Sequence, residues 1–145
     1  MWGQQGSNYN QYGGQYSTQG QGNFIPQPNV SYKILCAASS NFCIDASAGG
    51  MFSQNDLILY PYHGGDNQKF RFVPAGNGSY QILCVANHGS FFSPNFEDQS
   101  PGKQCYVDTA NSVKQTWMIV PKQGGFSIVL SGKGFCLDVK GEHYA

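Results

Sequence analysis

Apolar residues fall in short bursts punctuated by Gly, Pro and Asn, and the bursts, such as 57–60 and 118–120, are rich in Val, Ile, Phe and Tyr. Such runs predict many brief strands joined by tight turns, because β-branched and aromatic side chains suit a pleated surface and the interrupting residues supply turn conformations. None approaches the roughly 17–25 apolar residues that a membrane-spanning helix needs, so no span is expected. Long helices are likewise absent from the pattern.

Laying the chain against itself with a shift of 48 residues brings out a repeat. Residues 24–36 then cover 72–84 with eight of 13 positions identical, among them Phe24 on Phe72, Pro26 on Pro74, Tyr32 on Tyr80 and Cys36 on Cys84. A third copy starts at Ile119-Val120-Pro121 and continues through Phe126 and Ile128 with one residue deleted. Each copy reads strand, turn, strand. Phe42-Cys43-Ile44-Asp45 echoes Phe135-Cys136-Leu137-Asp138, and Gln68-Lys69-Phe70 echoes Gln115-Thr116-Trp117.

A period of about 46 residues divides the 145-residue chain into three units of about four strands each. That is too few blades for a propeller, and three such units close as a β-trefoil, an all-β fold. Phe70 and Trp117 are then core anchors at matched positions. Gln68 and Gln115 are placed to satisfy buried turn backbone that would otherwise cost about 1–3 kcal/mol per unmade bond.

The third unit stops half complete at residue 145. Its missing half is sought at the start of the chain, because a shift of 48 also puts Tyr12 over Tyr60, and residues 124–145 with about 8–25 make one unit by length. A circularly permuted trefoil is therefore expected, with a low-complexity tail over 1–10 and one trefoil domain over 11–145. The competing reading takes all of 1–22 as a disordered tail, since its six Gly, six Gln and three Tyr come without a charge. An open trefoil edge there would invite self-association into a homo-oligomer.

The Gln-x-Phe and Gln-x-Trp signatures, with Tyr60-Pro61 and Asp66-Asn67 ahead of the first, resemble those of the ricin B-chain-type β-trefoil lectin family (the QxW repeat). The resemblance covers residues 24–140. It implies a shallow sugar site in each competent unit, formed by an acidic residue after the second strand, an aromatic on the third and an Asn before the Gln. The first complete unit matches throughout. There Asp45 would accept hydrogen bonds from two adjacent hydroxyls, Asn67 would donate and accept at one of them, and Tyr60 would stack on the sugar ring. Gln68 would support the loop. A further polar position of the family is Ile58 here, and Tyr62 and His63 border the same loop as substitutes.

Taken singly, Asp45 and Asn67 also read as turn residues bonded to nearby backbone. In the second unit Ser93, Val107 and Lys114 stand where Asp45, Tyr60 and Asn67 stand in the first, and no site is expected there. Asp138 is the third unit's counterpart of Asp45, with Tyr12 or Tyr16 as the aromatic of a second site.

Composition narrows the functional classes. Eight basic and eight acidic residues leave the chain neutral and only 11% charged, without the basic cluster that tracks phosphates, so nucleic acid is not an expected partner. His63, His88 and His143 are scattered, and no nucleophile elbow, His-Glu-x-x-His helix or phosphate loop occurs, so no catalytic residue, metal site or cofactor is assigned. Five cysteines cannot all pair within one chain and form no CxxC, and they read as reduced and mostly buried. In the family Cys43 and Cys136 would each begin an intra-repeat disulfide, but the partner position in the first unit is Tyr62. Residues 1–22 show no basic-then-apolar leader, which points to the cytoplasm or to non-classical export.

The function expected is a non-catalytic carbohydrate-binding lectin module for galactose-type or related glycans. The alternative is a trefoil scaffold for protein contacts or self-assembly, using the Gln/Gly/Tyr-rich N-terminus and the Phe91–Phe96 region. The stretch 87–102, with Phe91, Phe92 and Phe96, reads as an insertion-like loop whose aromatics either anchor the core or meet a partner.

Overall fold

A computed structural model describes residues 2–3, 24–94, 102–110 and 114–139. The first complete unit begins with β2 (Ser31–Tyr32) and β3 (Leu35–Cys36), followed by β4 (Ser39–Ala46), β5 (Gln54–Pro61) and β6 (Phe70–Gly76). The second comprises β7 (Ser79–Cys84), β8 (Ser90–Phe92), β9 (Tyr106–Asp108) and β10 (Trp117–Lys122). The third opens with β11 (Gly125–Leu130), and a two-residue strand, β1 (Trp2–Gly3), lies at the start of the chain. The described strand pairings are antiparallel and run β10-β11-β1-β3-β4-β5-β9-β8-β7-β6-β2, with β10 also pairing β7. The sheet curls into the all-β trefoil expected from the repeat.

The repeat carries over into strand register. Tyr32 lies opposite Phe70 in the first unit, and Tyr80 lies opposite Trp117 in the second. Both Phe70 and Trp117 are almost completely buried, as expected of matched anchors. Phe91 stands edge-on to each of them, with ring centroids 5.2 Å from Phe70 and 6.3 Å from Trp117. A second aromatic group, Phe24, Tyr32, Phe72, Tyr80 and Phe126, closes the other part of the core. The threefold pattern thus places large rings at equivalent strand positions, where they interdigitate instead of competing for one space.

Residues 90–92 correct the reading of 87–102 as one loop. They form β8, paired with β7 and β9, and Phe91 is fully buried while its carbonyl accepts the Trp117 indole N–H at 3.3 Å. Phe92 packs on Tyr106. A Ser-Phe-Phe burst bounded by Gly and Pro looks like a loop locally, and its pairing with β9 across the chain makes it a strand. Phe96 lies outside the described residues, as do Tyr12, Tyr16 and the proposed boundary after residue 10.

Gly89 precedes β8 in a place with no room for a side chain. A Cβ there would lie 2.7 Å from Val107 Cγ1 and 2.9 Å from Thr109 Cγ2. Gly89→Ala is therefore expected to destabilise by about 1–3 kcal/mol through overpacking. Urea denaturation checks this, and an unchanged midpoint would show that β9 yields freely.

Candidate functional site

The β4–β5 hairpin carries two of the expected site residues, and the turn before β6 carries two more. Asp45 lies opposite Ile58, and Cys43 lies opposite Tyr60. Chain reversal after Pro61 passes through His63 and two glycines into the short 3-10 turn Asp66–Gln68, which places Asn67 and Gln68 beneath the hairpin. The site is assembled by contacts across more than twenty residues of chain.

Asp45 is its hub. The residue is 3% exposed, and its two carboxylate oxygens each take one side-chain amide: Asn67 Nδ2 donates to Oδ1 at 3.1 Å and Gln68 Nε2 donates to Oδ2 at 2.8 Å. Each amide donates a second bond to backbone, Asn67 to the Ala46 carbonyl at 3.1 Å and Gln68 to the Pro61 carbonyl at 3.0 Å. Gln68 Oε1 meanwhile accepts the backbone N–H of His63 and of Gly64. Gln68 is therefore the loop clamp that the sequence suggested. Gln115 plays the same part in the second unit, accepting the Ser93 N–H at 2.7 Å and donating to the Ser93 carbonyl at 3.0 Å.

This arrangement changes the division of labour expected for Asn67. Both of its amide hydrogens are committed to Asp45 and Ala46, leaving the side-chain oxygen as the group that can still accept a bond. Each Asp45 oxygen retains one lone pair beyond its amide bond. His63 adds a donor: its Nδ1 accepts the Gly65 N–H at 3.1 Å, so the hydrogen resides on Nε2, which lies 3.8 Å from Asp45 Oδ2. The separation is too long for a direct hydrogen bond.

Tyr60 is 49% exposed, and its ring is nearly perpendicular to that of His63, with centroids 6.0 Å apart. Tyr62 is also exposed, but Lys33 Nζ sits over its ring at 4.3 Å. A cation on that face competes with a sugar for it.

Gly65 was not singled out by the sequence. A Cβ at this position would lie 2.7 Å from both Asn67 Oδ1 and His63 Cε1, so any larger residue here would displace the Asn67 and His63 side chains. The adjacent Gly64-Gly65 pair was its visible signal. Asn87 braces the neighbouring loop, donating to the Gly50 carbonyl at 3.1 Å, and Gly50 in turn packs near Asn67.

Asp138 does not join this cluster. It is exposed and accepts the N–H of its own neighbour Val139 at 2.8 Å. Cys136 departs from its counterpart in the same way: Cys43 is fully buried in an eight-residue strand, whereas Cys136 is exposed and held by a single bridge to Val129. A matching tetrapeptide does not secure a matching environment, because burial comes from the opposing strand. The expectation of mostly buried thiols holds for Cys36, Cys43 and Cys84, with Cys105 half-buried. All five are unpaired, and burial followed by the nearby Asp45 charge pushes the Cys43 thiol up to about 12.

Burial also raises the Asp45 carboxyl above its ordinary 3.8, against the opposing influence of Gln68, His63 and Asn67. Because the folded value exceeds the unfolded one, folding takes up a proton between the two. The contribution of Asp45 to stability is then most favourable below 3.8 and declines as pH rises through the folded value. Replacing Asp45 by Ala is expected to remove this decline, which denaturant titrations at a series of acidic pH values would measure. Equal pH slopes in the two proteins would contradict the assignment.

Among the described residues no cluster of three or more His, Cys, Asp or Glu is placed to hold a metal ion, and no helix is long and apolar enough to cross a membrane.

The fold and the matched units define an all-β trefoil of lectin type. The model of the ricin-type beta-trefoil lectin domain-like family matches residues 18–93, more than half of the chain, and the chain belongs to that family. Three solved structures share the fold. The designed 3-fold symmetric protein ThreeFoil is 25% identical over 79% of this chain and 82% of its own, with a TM-score of 0.69. The Rhizoctonia solani agglutinin is 23% identical over 85% and 84%, with a TM-score of 0.66. The Macrolepiota procera ricin B-like lectin, solved with lactose, is 21% identical over 81% and 80%, with a TM-score of 0.64. No match was found among curated proteins.

Proposed function

We propose that this chain is a non-catalytic lectin that binds glycans in its first complete unit. Asp45 and the Asn67 side-chain oxygen receive sugar hydroxyls, His63 Nε2 supplies a donor, and Tyr60 stacks on the ring. The observation that carries this reading is a carboxylate held by two side-chain amides, with half-exposed Tyr60 on the paired strand. Its acceptor directions are set before any ligand arrives, which lowers the cost of binding. Gln68 contributes through the loop, and Tyr62 forms the rim. Among the described residues Asp138 has no such support, and it is the weaker second site. Five unpaired thiols fit action in the cytoplasm or after non-classical export.

A galactose-type sugar is the first ligand to test, since the Macrolepiota procera lectin was solved with lactose. Tyr60→Ala is the cleanest variant, because the residue is half exposed and its loss leaves the Asp45 bonds intact. A glycan array followed by titration should show affinity falling about tenfold, equivalent to about 1.4 kcal/mol. Undiminished binding in Tyr60→Ala would place the sugar elsewhere. A blank array for the wild type would instead favour the scaffold role, for which the exposed Met51 and Phe52 beside the Gly50 turn supply an apolar surface.

A further inference from the structure

β5 buries Asn55 and Leu57 and leaves Ile58, Tyr60 and, just past its end, Tyr62 exposed. Residues two apart on a strand share a face, and so do directly opposed residues of antiparallel strands. Ile58 and Tyr60 therefore lie on the face that carries Asp45 and Cys43. Tyr62 follows Tyr60 by about 7 Å of extended chain. A single sugar on Asp45 and Tyr60 leaves Tyr62 beyond it, at the position of a neighbouring unit of a longer glycan.

Lys33 occupies that end of the face. Its Nζ is held 4.3 Å from the Tyr62 ring centroid, and the hydroxyl end of the ring lies beside Gly64, in the turn that carries His63. The chain around Lys33 is seated along the hairpin, because the carbonyl of the next residue, Ile34, accepts the Ile44 N–H at 2.9 Å. Among the described residues Lys33 pairs with no carboxylate, whereas Lys69 is taken by Asp66 at 3.6 Å and the Asp45 carboxylate by the Asn67 and Gln68 amides. Its charge reaches the site nonetheless: burial and then Asp45 push the Cys43 thiol up, and Lys33 opposes them at this position opposite Tyr60. An ammonium held over an aromatic face without a carboxylate partner is a preplaced counter-charge.

We propose, resting on the lectin reading above, that Lys33 and Tyr62 form an anion subsite and that the preferred ligands are acidic oligosaccharides, with a carboxylate or sulfate on Lys33 and a neutral sugar on Asp45 and Tyr60. The two charges divide the face between them. A negative group beside Asp45 is repelled by its carboxylate, so the anion belongs on a unit or substituent at the Tyr62 end. Lysine offers a point charge with three donors and no fixed fork, so it accepts a carboxylate and a sulfate alike. Packing on Tyr62 already restrains the long side chain, which reduces the entropy lost on capturing the anion. The rim is open to solvent, so the gain is that of a screened pair, about fivefold in affinity.

Calorimetric titration of the full chain with lactose, sialylated lactose and sulfated lactose tests it. In about 0.1 M salt at least one acidic sugar is expected to bind about fivefold tighter than lactose, and the tighter of the two identifies the anion. In about 1 M salt, where the screening length shrinks from about 10 Å to about 3 Å, the preference should fall below about twofold. Lys33→Met keeps an unbranched apolar stem against Tyr62. It should remove the preference and leave lactose affinity within about twofold of the wild type, whereas Lys33→Arg should keep the preference. Acidic sugars that bind no tighter than lactose, or a preference that survives in Lys33→Met, would overturn the proposal while leaving the lectin reading intact. A wild type that binds none of the three sinks the lectin reading, and the anion subsite with it.

Discussion

Replacing Trp117 by alanine is expected to cost about 3–5 kcal/mol of stability, the range for deleting a large buried aromatic. Its indole is 1% exposed, stands edge-on to Phe91 and donates to the Phe91 carbonyl. Its strand also joins two units, pairing with β7 of the second and β11 of the third. Truncation therefore opens a cavity, removes a hydrogen bond and loosens a unit boundary together. Against a total stability of about 5–15 kcal/mol, a loss of about 3–5 kcal/mol is a fifth or more. Trp117→Phe should cost markedly less, because Phe70 fills the equivalent position in the first unit. Equilibrium urea denaturation of both variants is the check. A loss below about 1.5 kcal/mol for Trp117→Ala would mean that the core does not depend on the matched aromatics.

Gln68→Leu should produce the second large effect, chiefly on the site. The substitution preserves approximate size but removes four polar contacts, leaving the His63 and Gly64 N–H groups, the Pro61 carbonyl and one Asp45 oxygen without their partner. Each buried group left unsatisfied costs about 1–3 kcal/mol, but the loop is partly exposed and water relieves some of them, so a total of about 3 kcal/mol is expected. Glycan binding should fall at least tenfold even at temperatures where the variant is folded, since Asp45 and His63 lose their shared support. Gln68→Glu separates loop support from Asp45 orientation. It keeps acceptors for both N–H groups but faces Asp45 with a second carboxylate. Binding should therefore fail at neutral pH in this variant too, although the loop is held better. Thermal melts paired with glycan titration measure both effects, and intact binding in either variant would remove Gln68 from the site's support.

Gln68 shows that a residue type at a repeat position can announce its role through spacing alone. Two glutamines two residues ahead of large aromatics read as buried turn clamps, and both bond to backbone as that reading requires. Phe70 and Trp117 were similarly legible, because identical spacing in successive units demands equivalent surroundings. Asp45 and Asn67 could be named together from spacing, but not the hydrogen bond that joins them or the bond Gln68 adds to the same carboxylate. Nothing in the local sequence indicates that both Asn67 hydrogens are consumed or that Lys33 covers Tyr62.

Hydrophobic spacing and an internal repeat by themselves determined the all-β class, the three units and the anchors of the core, since these depend on short-range pattern and periodicity. Tertiary structure alone decided which of the equivalent residues joined a buried hydrogen-bonded cluster. Asp45 and Asp138 sit in nearly matching tetrapeptides, yet one is buried and oriented by residues more than twenty positions away while the other is exposed. Burial, electrostatics and hydrogen-bond geometry are properties of what the fold brings opposite a residue, and neither spacing nor residue type records that partner.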